Sequence, residues 1–252
     1  IATITQSADC GQFRITGTTS KLGSSIGTFT LNLRNEVTSG LALQAGSCTL
    51  LGSVNSNSGP MYIDAGATLT AGTFSIGGTG SFTLNNNATL VTAHPNGVNG
   101  SITLSSGNIN LVEGANYTFN GTVAQTTGDL MRSVIGTLTI NNTGTAPNNT
   151  VILSKDGHRA TNLFLQNGRF GTGIGQKLQM GDGSQSSSNI STVEGKPYNG
   201  RNGEFILGAT GGTLVGTGWC YINGDFNLWN VEAFNNLTPN GIKFQNGNAT
   251  IN

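Results

Sequence analysis

The feature that most constrains the fold is a short phrase written twice. Gly59-Pro-Met-Tyr-Ile-Asp-Ala-Gly-Ala-Thr-Leu69 returns about 21 residues later as Gly80-Ser-Phe-Thr-Leu-Asn-Asn-Asn-Ala-Thr-Leu90, with Gly, Ala, Thr and Leu coinciding and apolar residues at alternate positions. Alternation of that kind is the period of a strand, and a strand-built repeat of this length cannot bury its own apolar side. Each repeat must stack on the next. The expected fold is therefore all-β, a parallel β-helix (β-solenoid) with coils of about 20 residues.

Composition narrows what such a chain does. Charged residues are 9% of the sequence, against roughly 25% in ordinary soluble domains, so the surface is carried by Ser, Thr, Asn and the 39 glycines. A hydrophobic share of 35% with zero net charge separates the chain from disordered sequences. Eleven basic residues balance eleven acidic ones and are scattered, leaving no basic stripe for a phosphate backbone, which argues against a nucleic-acid partner. No run approaches the roughly 18 apolar residues of a membrane helix, so no membrane span is expected. The start, Ile1-Ala-Thr-Ile-Thr-Gln6, has neither an initiator Met nor a charged segment ahead of an apolar one and reads as a mature or trimmed chain. Low charge with abundant Thr, Asn and Ser matches extracellular β proteins, so a secreted or cell-surface location is expected.

Cys10, Cys48 and Cys220 form no C-x-x-C pair, which argues against zinc or redox motifs. A bridge from Cys10 to Cys48 and three small buried residues are both open on sequence, with burial favoured.

Along the chain, residues 1–36 show no repeat phrase and read as an N-terminal cap leading into a solenoid over 37–252. From Leu41 onward, short alternating segments such as Met61-Tyr-Ile63, Phe82-Thr-Leu84, Ser101-Ile-Thr-Leu104, Asn108-Ile-Asn-Leu-Val112 and Gly136-Thr-Leu-Thr-Ile140 are separated by Gly, Asn and Ser corners. Asp129-Leu-Met-Arg-Ser-Val-Ile135 fits either a helical turn or a coil corner. Apolar residues thin out over 181–203, which predicts a protruding loop. Asn248-Ala-Thr-Ile-Asn252 repeats the corner phrase without a cap, so Ala249, Thr250 and Ile251 are expected to form a self-assembly end.

Three successive stretches, Ala88–Ile102, Gly114-Ala-Asn-Tyr-Thr-Phe-Asn-Gly-Thr-Val-Ala-Gln-Thr-Thr-Gly128 and Gly136-Thr-Leu-Thr-Ile-Asn-Asn-Thr-Gly144, resemble the repetitive secreted and cell-surface proteins of Bacteroidetes that are cargo of type IX secretion. The resemblance is good over 59–180, looser after it and weak over the first 40 residues. It implies a right-handed parallel β-helix exported to the surface, in proteins of adhesion, surface layers, motility or extracellular fibres. It carries over no catalytic motif, and no type IX sorting domain is visible.

Parallel β-helices also host polysaccharide lyases and hydrolases, which cluster Asp, Lys, Arg or His on one long face. The densest set here is Lys155, Asp156, His158 and Arg159, with Arg169 one strand later and Tyr198 and Arg201 in the expected loop. Asp-Gly at 156–157 is equally a turn dipeptide, and a solvated corner is where charges belong. Asp182, Glu194, Glu204 and Asp225 lack the dense carboxylate spacing of a calcium loop, so neither a metal nor another cofactor is expected. His94 precedes Pro95-Asn-Gly97 and reads as a turn residue. Trp219, Tyr221, Phe226, Trp229 and Phe234 fit buried core better than a sugar platform. Asn85–Asn87, Asn141-Asn142 and Asn148-Asn149 suit amide ladders between coils or plain turns.

Together these features point to a non-enzymatic extracellular structural or adhesive protein of ten to twelve coils, about 50 Å long at about 4.8 Å per coil. Its expected partners are copies of itself stacked end to end, further repeats of a longer surface protein, or glycans. The competing expectation is a carbohydrate-binding or polysaccharide-degrading β-helix.

Overall fold

The computed structural model describes the backbone continuously over 40–56, 59–145, 147–155 and 157–172. It also describes 2–4, 8–10, 12–16, 19–22 and 29–33 before them, and the strands from Lys177–Met180 to Ala249–Ile251 after them. Side chains are described for 15–16, 19–22, 40–56 and 59–171, apart from 106, 146, 156, 162 and 165. Among these residues every strand pairing is parallel except the short pair Ala209–Thr210 with Thr213–Leu214. They stack as a β-solenoid of about six turns with about 22 residues per turn. The expected ten to twelve coils of about 20 residues refer to the whole chain, part of which lies outside the described residues.

Three ladders make the wall. A long face is built from Thr19–Leu22, Ser47–Leu50, Thr68–Gly72, Thr89–Thr92, Asn116–Phe119, Val134–Asn141 and His158–Asn167 in that order. A second face holds Gln12–Ile15, Gly40–Leu43, Pro60–Ile63, Ser81–Leu84 and Ile109–Leu111, and a third holds Ala8–Cys10, Phe29–Leu33, Val54–Ser56 and Ile76–Gly78. The chain visits third, second and long face in each turn. Strands within residues 1–36 pair in these same ladders.

The repeat phrase sets the register. Met61 lies beside Phe82, Ile63 beside Leu84 and Leu69 beside Leu90, so identical positions of the phrase stack. The inward file of the long face runs Cys48, Leu69, Leu90, Tyr117, Leu138, Leu163, every member buried. Each large apolar side chain in such a file contributes about 1.5–3 kcal/mol on leaving water. Cys48 is a free, buried thiol, and burial pushes its pKa up to about 11. It is therefore one of the small buried residues that the sequence favours, and no bridge joins it to Cys10.

The corner between the second and long faces explains the Asn/Gly-Ala-Thr spelling. Ala67 N donates to the Asp64 carbonyl at 2.9 Å and Ala88 N to the Asn85 carbonyl at 3.0 Å, closing the same four-residue turn in successive coils. The third residue of each turn, Gly66 (φ +79°) or Asn87 (φ +59°), is left-handed, a conformation open to Gly and tolerated by Asn. Gly66 N donates to the Asn87 carbonyl at 3.0 Å and Asn87 N to that of Gly114 at 3.1 Å, so the corners are stitched along the axis. Asn85 Nδ2 adds a bond to Asp64 Oδ1 at 3.1 Å, and Asn167 Nδ2 donates to Asn141 Oδ1 one turn apart. The Asn corners thus serve both as turns and as short side-chain ladders.

The structure departs from expectation where the coil changes shape. Ser101-Ile-Thr-Leu104 is not a strand: Gly97–Ser101 is helical, and a 3₁₀ turn follows at Ser106–Asn108. Gly97 has φ +54°, and at Gly100 a Cβ would fall 1.8 Å from His94 Nδ1, so the glycines let the chain fold back tightly. Val98, Ile102 and Leu104 still plug the interior, and Ile102 bridges Ile76. Residues 129–133 are turn rather than helix, and Val134 already begins the next strand. There the second-face ladder ends, Val134–Asn141 runs as one strand from the Gly114 corner into the long face, and a new ladder forms from Gln125–Thr126, Thr150–Leu153, Arg169–Thr172 and Glu204–Phe205.

The ten-residue strand His158–Asn167 then branches. Its first part, His158–Ala160, pairs with Leu178–Met180, while Leu163–Leu165 pairs with Val193–Gly195. Part of the expected 181–203 loop is therefore strand, Ile190–Gly195, because the β-branched run Ile-Ser-Thr-Val supplies a partner for an otherwise open edge. The rest of that stretch lies outside the described residues. Ala249–Ile251 pairs in parallel with Phe226–Leu228. Among the described residues no helix is long and apolar enough to cross a membrane.

Candidate functional site

The charged corner after Thr150–Leu153 is distributed rather than convergent. Lys155 is exposed at the turn, where Gly157 takes φ +77°, and Asp156 lies outside the described residues. His158 opens the next strand with its ring turned inward, 1% exposed, and Nδ1 is 2.8 Å from the Arg132 carbonyl oxygen. That oxygen only accepts, so the proton sits on Nδ1. Arg159 is half-buried beside Val134, and its N–H donates to the Ser133 carbonyl at 2.7 Å. Arg169 is half-buried in the following strand beside Thr150, with register setting Glu204 on its other side. Arg159 thus stands near the start of the ten-residue strand and Arg169 in the strand that follows it, with roughly 26 Å of extended chain between Arg159 and the first strand's end at Asn167.

The structure does not gather Lys155, His158, Arg159 and Arg169 on one face. Tyr198 and Arg201 lie outside the described residues, as do Asp182 and Phe234. Glu194, Glu204 and Asp225, and the aromatics Trp219, Tyr221, Phe226 and Trp229, fall in described strands, with their side chains outside that description. Among the described residues no three His, Cys, Asp or Glu side chains are grouped to hold a metal ion. His94 is a turn residue as expected, its Nδ1 accepting from Asn96 N at 3.1 Å.

The polar cluster that does converge is one the strand pattern conceals. Ser101 Oγ donates to Thr92 Oγ1 at 2.7 Å, and His94 N donates to the same oxygen at 3.1 Å. Gln125 Nε2 donates to the carbonyls of Thr92 (3.2 Å) and His94 (3.1 Å), while its Oε1 accepts from Gly121 N (2.9 Å) and Asn142 Nδ2 (3.2 Å). Asn142 Nδ2 also reaches the Val123 carbonyl at 2.6 Å, and its Oδ1 accepts from Gly144 N at 3.0 Å. Thr92, Ser101, Gln125 and Asn142 are all buried. Polar side chains at inward positions of Thr89–Thr92 and Gln125–Thr126 are the sequence signal for this cluster.

Chemically the cluster is a brace. Its amides bind carbonyls and N–H groups that the change from three ladders to the later arrangement would strand in the interior. Ser101 gives its proton to Thr92, and the His94 ring nitrogen that accepts is engaged by Asn96, so hydroxyl and imidazole do not form a nucleophile–base pair. Among the described residues, Asn120 Oδ1 and Asn149 Oδ1 are buried without a hydrogen-bond partner. Burial pushes the Tyr117 hydroxyl above its ordinary range and keeps it neutral. No protein family, no curated protein and no solved structure matches the chain.

Proposed function

We propose that the chain is an extracellular structural or adhesive protein of the cell surface, a stiff rod that copies of itself or further repeats of a longer surface protein extend end to end. The observation that carries this reading is the unbroken inward file from Cys48 to Leu163, held in step by hydrogen bonds that pass from corner to corner. Residues are invested in axial continuity, whereas Lys155, His158, Arg159 and Arg169 do not share one face. The terminal turn of any parallel solenoid offers unpaired N–H and C=O groups that another turn satisfies, and contact between unlike ends propagates into filaments. Export by the type IX route belongs to the same proposal and is supported by the resemblance of the phrases at 88–144 and by low charge. Neither a cofactor nor a nucleic-acid partner enters the proposal.

Electron microscopy and sedimentation of the purified chain over a range of concentrations test it. Rods that lengthen with concentration are expected, and dispersed monomers at every concentration would remove the filament. A panel of acidic and neutral polysaccharides tests the adhesive part: binding without cleavage supports adhesion to glycans, and cleavage replaces the structural reading with an enzymatic one.

A further inference from the structure

The outward side of the long face is richer in threonine than that of the second face. In Thr68–Gly72, Thr68 and Thr70 alternate with buried Leu69 and Ala71 and so stand on the outside. Register lines up Ser47, Thr68, Thr89 and Asn116 in one file and Thr49, Thr70, Val91 and Thr118 in a second, which ends where exposed Lys21 of the preceding strand stands beside Thr49. The four strands that carry these files, Ser47–Leu50, Thr68–Gly72, Thr89–Thr92 and Asn116–Phe119, contain no charged residue, and their aromatics, Tyr117 and Phe119, are buried. Strand propensity favours Thr on any outer face, yet the corresponding file of the second face reads Ala42, Tyr62, Thr83, Asn110. Propensity alone therefore does not produce the threonine files.

Parallel stacking repeats these side chains about 4.8 Å apart along the axis and about 6.7 Å apart across it. Both spacings lie near the repeats of oxygen positions on a prism plane of ice. Each threonine hydroxyl both donates and accepts, as the oxygens of that plane do, while its methyl group presents an apolar neighbour. An uncharged lattice is complementary to an uncharged face; a Lys or Asp would keep its own hydration shell between them. Crystalline polysaccharide is the less suitable solid, because sugar rings are held by exposed aromatic stacking and these strands turn their aromatics inward.

We propose that the part of the long face formed by these four strands, between Lys21 and Val134–Asn141, binds the surface of ice. The ligand is the crystal lattice itself, taken up laterally, so the inference goes beyond the proposed structural role and does not depend on how the rods meet at their ends.

The experiment uses the full chain and measures the gap between freezing and melting points together with inhibition of ice recrystallisation. Thr70→Lys and Thr89→Lys place a charge in each file, and Thr83→Lys places one on the second face. The unsubstituted protein is expected to open a gap and keep ice grains small, the two long-face variants to lose most of both effects, and Thr83→Lys to retain them. Far-ultraviolet spectra check folding, and Thr70→Gln, uncharged and also expected to lose activity, replaces any Lys variant that unfolds. The proposal is overturned if the unsubstituted protein does no more than an equal mass of serum albumin. Full activity in folded Thr70→Lys and Thr89→Lys, or capture by powdered cellulose or chitin without any effect on ice, overturns it equally. A negative result on ice leaves the filament measurements untouched, and dispersed monomers leave the ice measurements untouched.

Discussion

Two glycines with similar backbone angles should respond to the same substitution very differently. Gly66 (φ +79°) and Gly97 (φ +54°) are both left-handed, and an L-alanine there costs about 1–2 kcal/mol in backbone energy alone. At Gly66 the added methyl meets nothing within 4 Å, so that strain is the whole effect and Gly66→Ala should lower stability by about 1 kcal/mol. At Gly97 the methyl would lie 2.1 Å from the Thr126 carbonyl oxygen and 2.6 Å from that of Thr127. These are backbone atoms and cannot rotate aside. Thr126 N is bonded to the Pro95 carbonyl at 2.8 Å, Thr127 N to that of Ile152 at 2.9 Å and Val98 N to that of Thr127 at 3.0 Å. Relieving the overlap must stretch those bonds, adding about 1–3 kcal/mol of overpacking and about 1 kcal/mol for each bond lost. Gly97→Ala should therefore cost about 4 kcal/mol. Urea unfolding followed by circular dichroism gives the two differences. Hydrogen exchange over 95–130 locates the loss, which matters because stacked turns need not unfold as one unit. Equal destabilisation by the two substitutions would refute the reasoning, since backbone angle alone would then account for both.

Two further outcomes rest on buried polar groups. Cys48 has a folded pKa raised to about 11 from 9.0, so the stability it confers is complete below pH 9 and is lost as pH climbs toward 11, when the unfolded thiol ionises first. The loss should reach about 2 kcal/mol in unfolding titrations across that window, and Cys48→Ala should flatten this limb. Gln125→Leu leaves Gly121 N and an Asn142 amide hydrogen without their shared acceptor, and should cost about 2–3 kcal/mol and speed exchange of the Gly121 amide; unchanged exchange would contradict the brace.

Much of the fold is legible in the sequence because strand alternation and the repeat phrase act on the same positions. Leu69 and Leu90 occupy one spelling and one file, and the Gly66 and Asn87 corners are written where a left-handed residue is needed. The helix at Gly97–Ser101 is harder to see, since Ser-Ile-Thr-Leu alternates like a strand while the glycines that bend the chain resemble ordinary corners. The branching of His158–Asn167 is hidden for another reason: periodicity tells which way a side chain points, not how many neighbours a long edge acquires. The charged corner illustrates the same limit, because adjacency of Lys155, His158 and Arg159 in sequence places one in solvent, one in the core and one along the wall.

The short helix has one more consequence. Thr68 and Thr89 are neighbours 21 positions apart, whereas Thr89 and Asn116 are neighbours 27 apart, with the residues from the helix to the 3₁₀ turn taken up between them. The long and second faces carry on in register across this extra length. Lengthening a connection costs only about 0.6 kcal/mol per doubling, so the exposed turn at Ser105 and Gly107, where an added Cβ on Gly107 meets nothing within 4 Å, is a natural socket at which the chain can grow or accept a grafted segment. The spacing of the threonine files would not change by doing so.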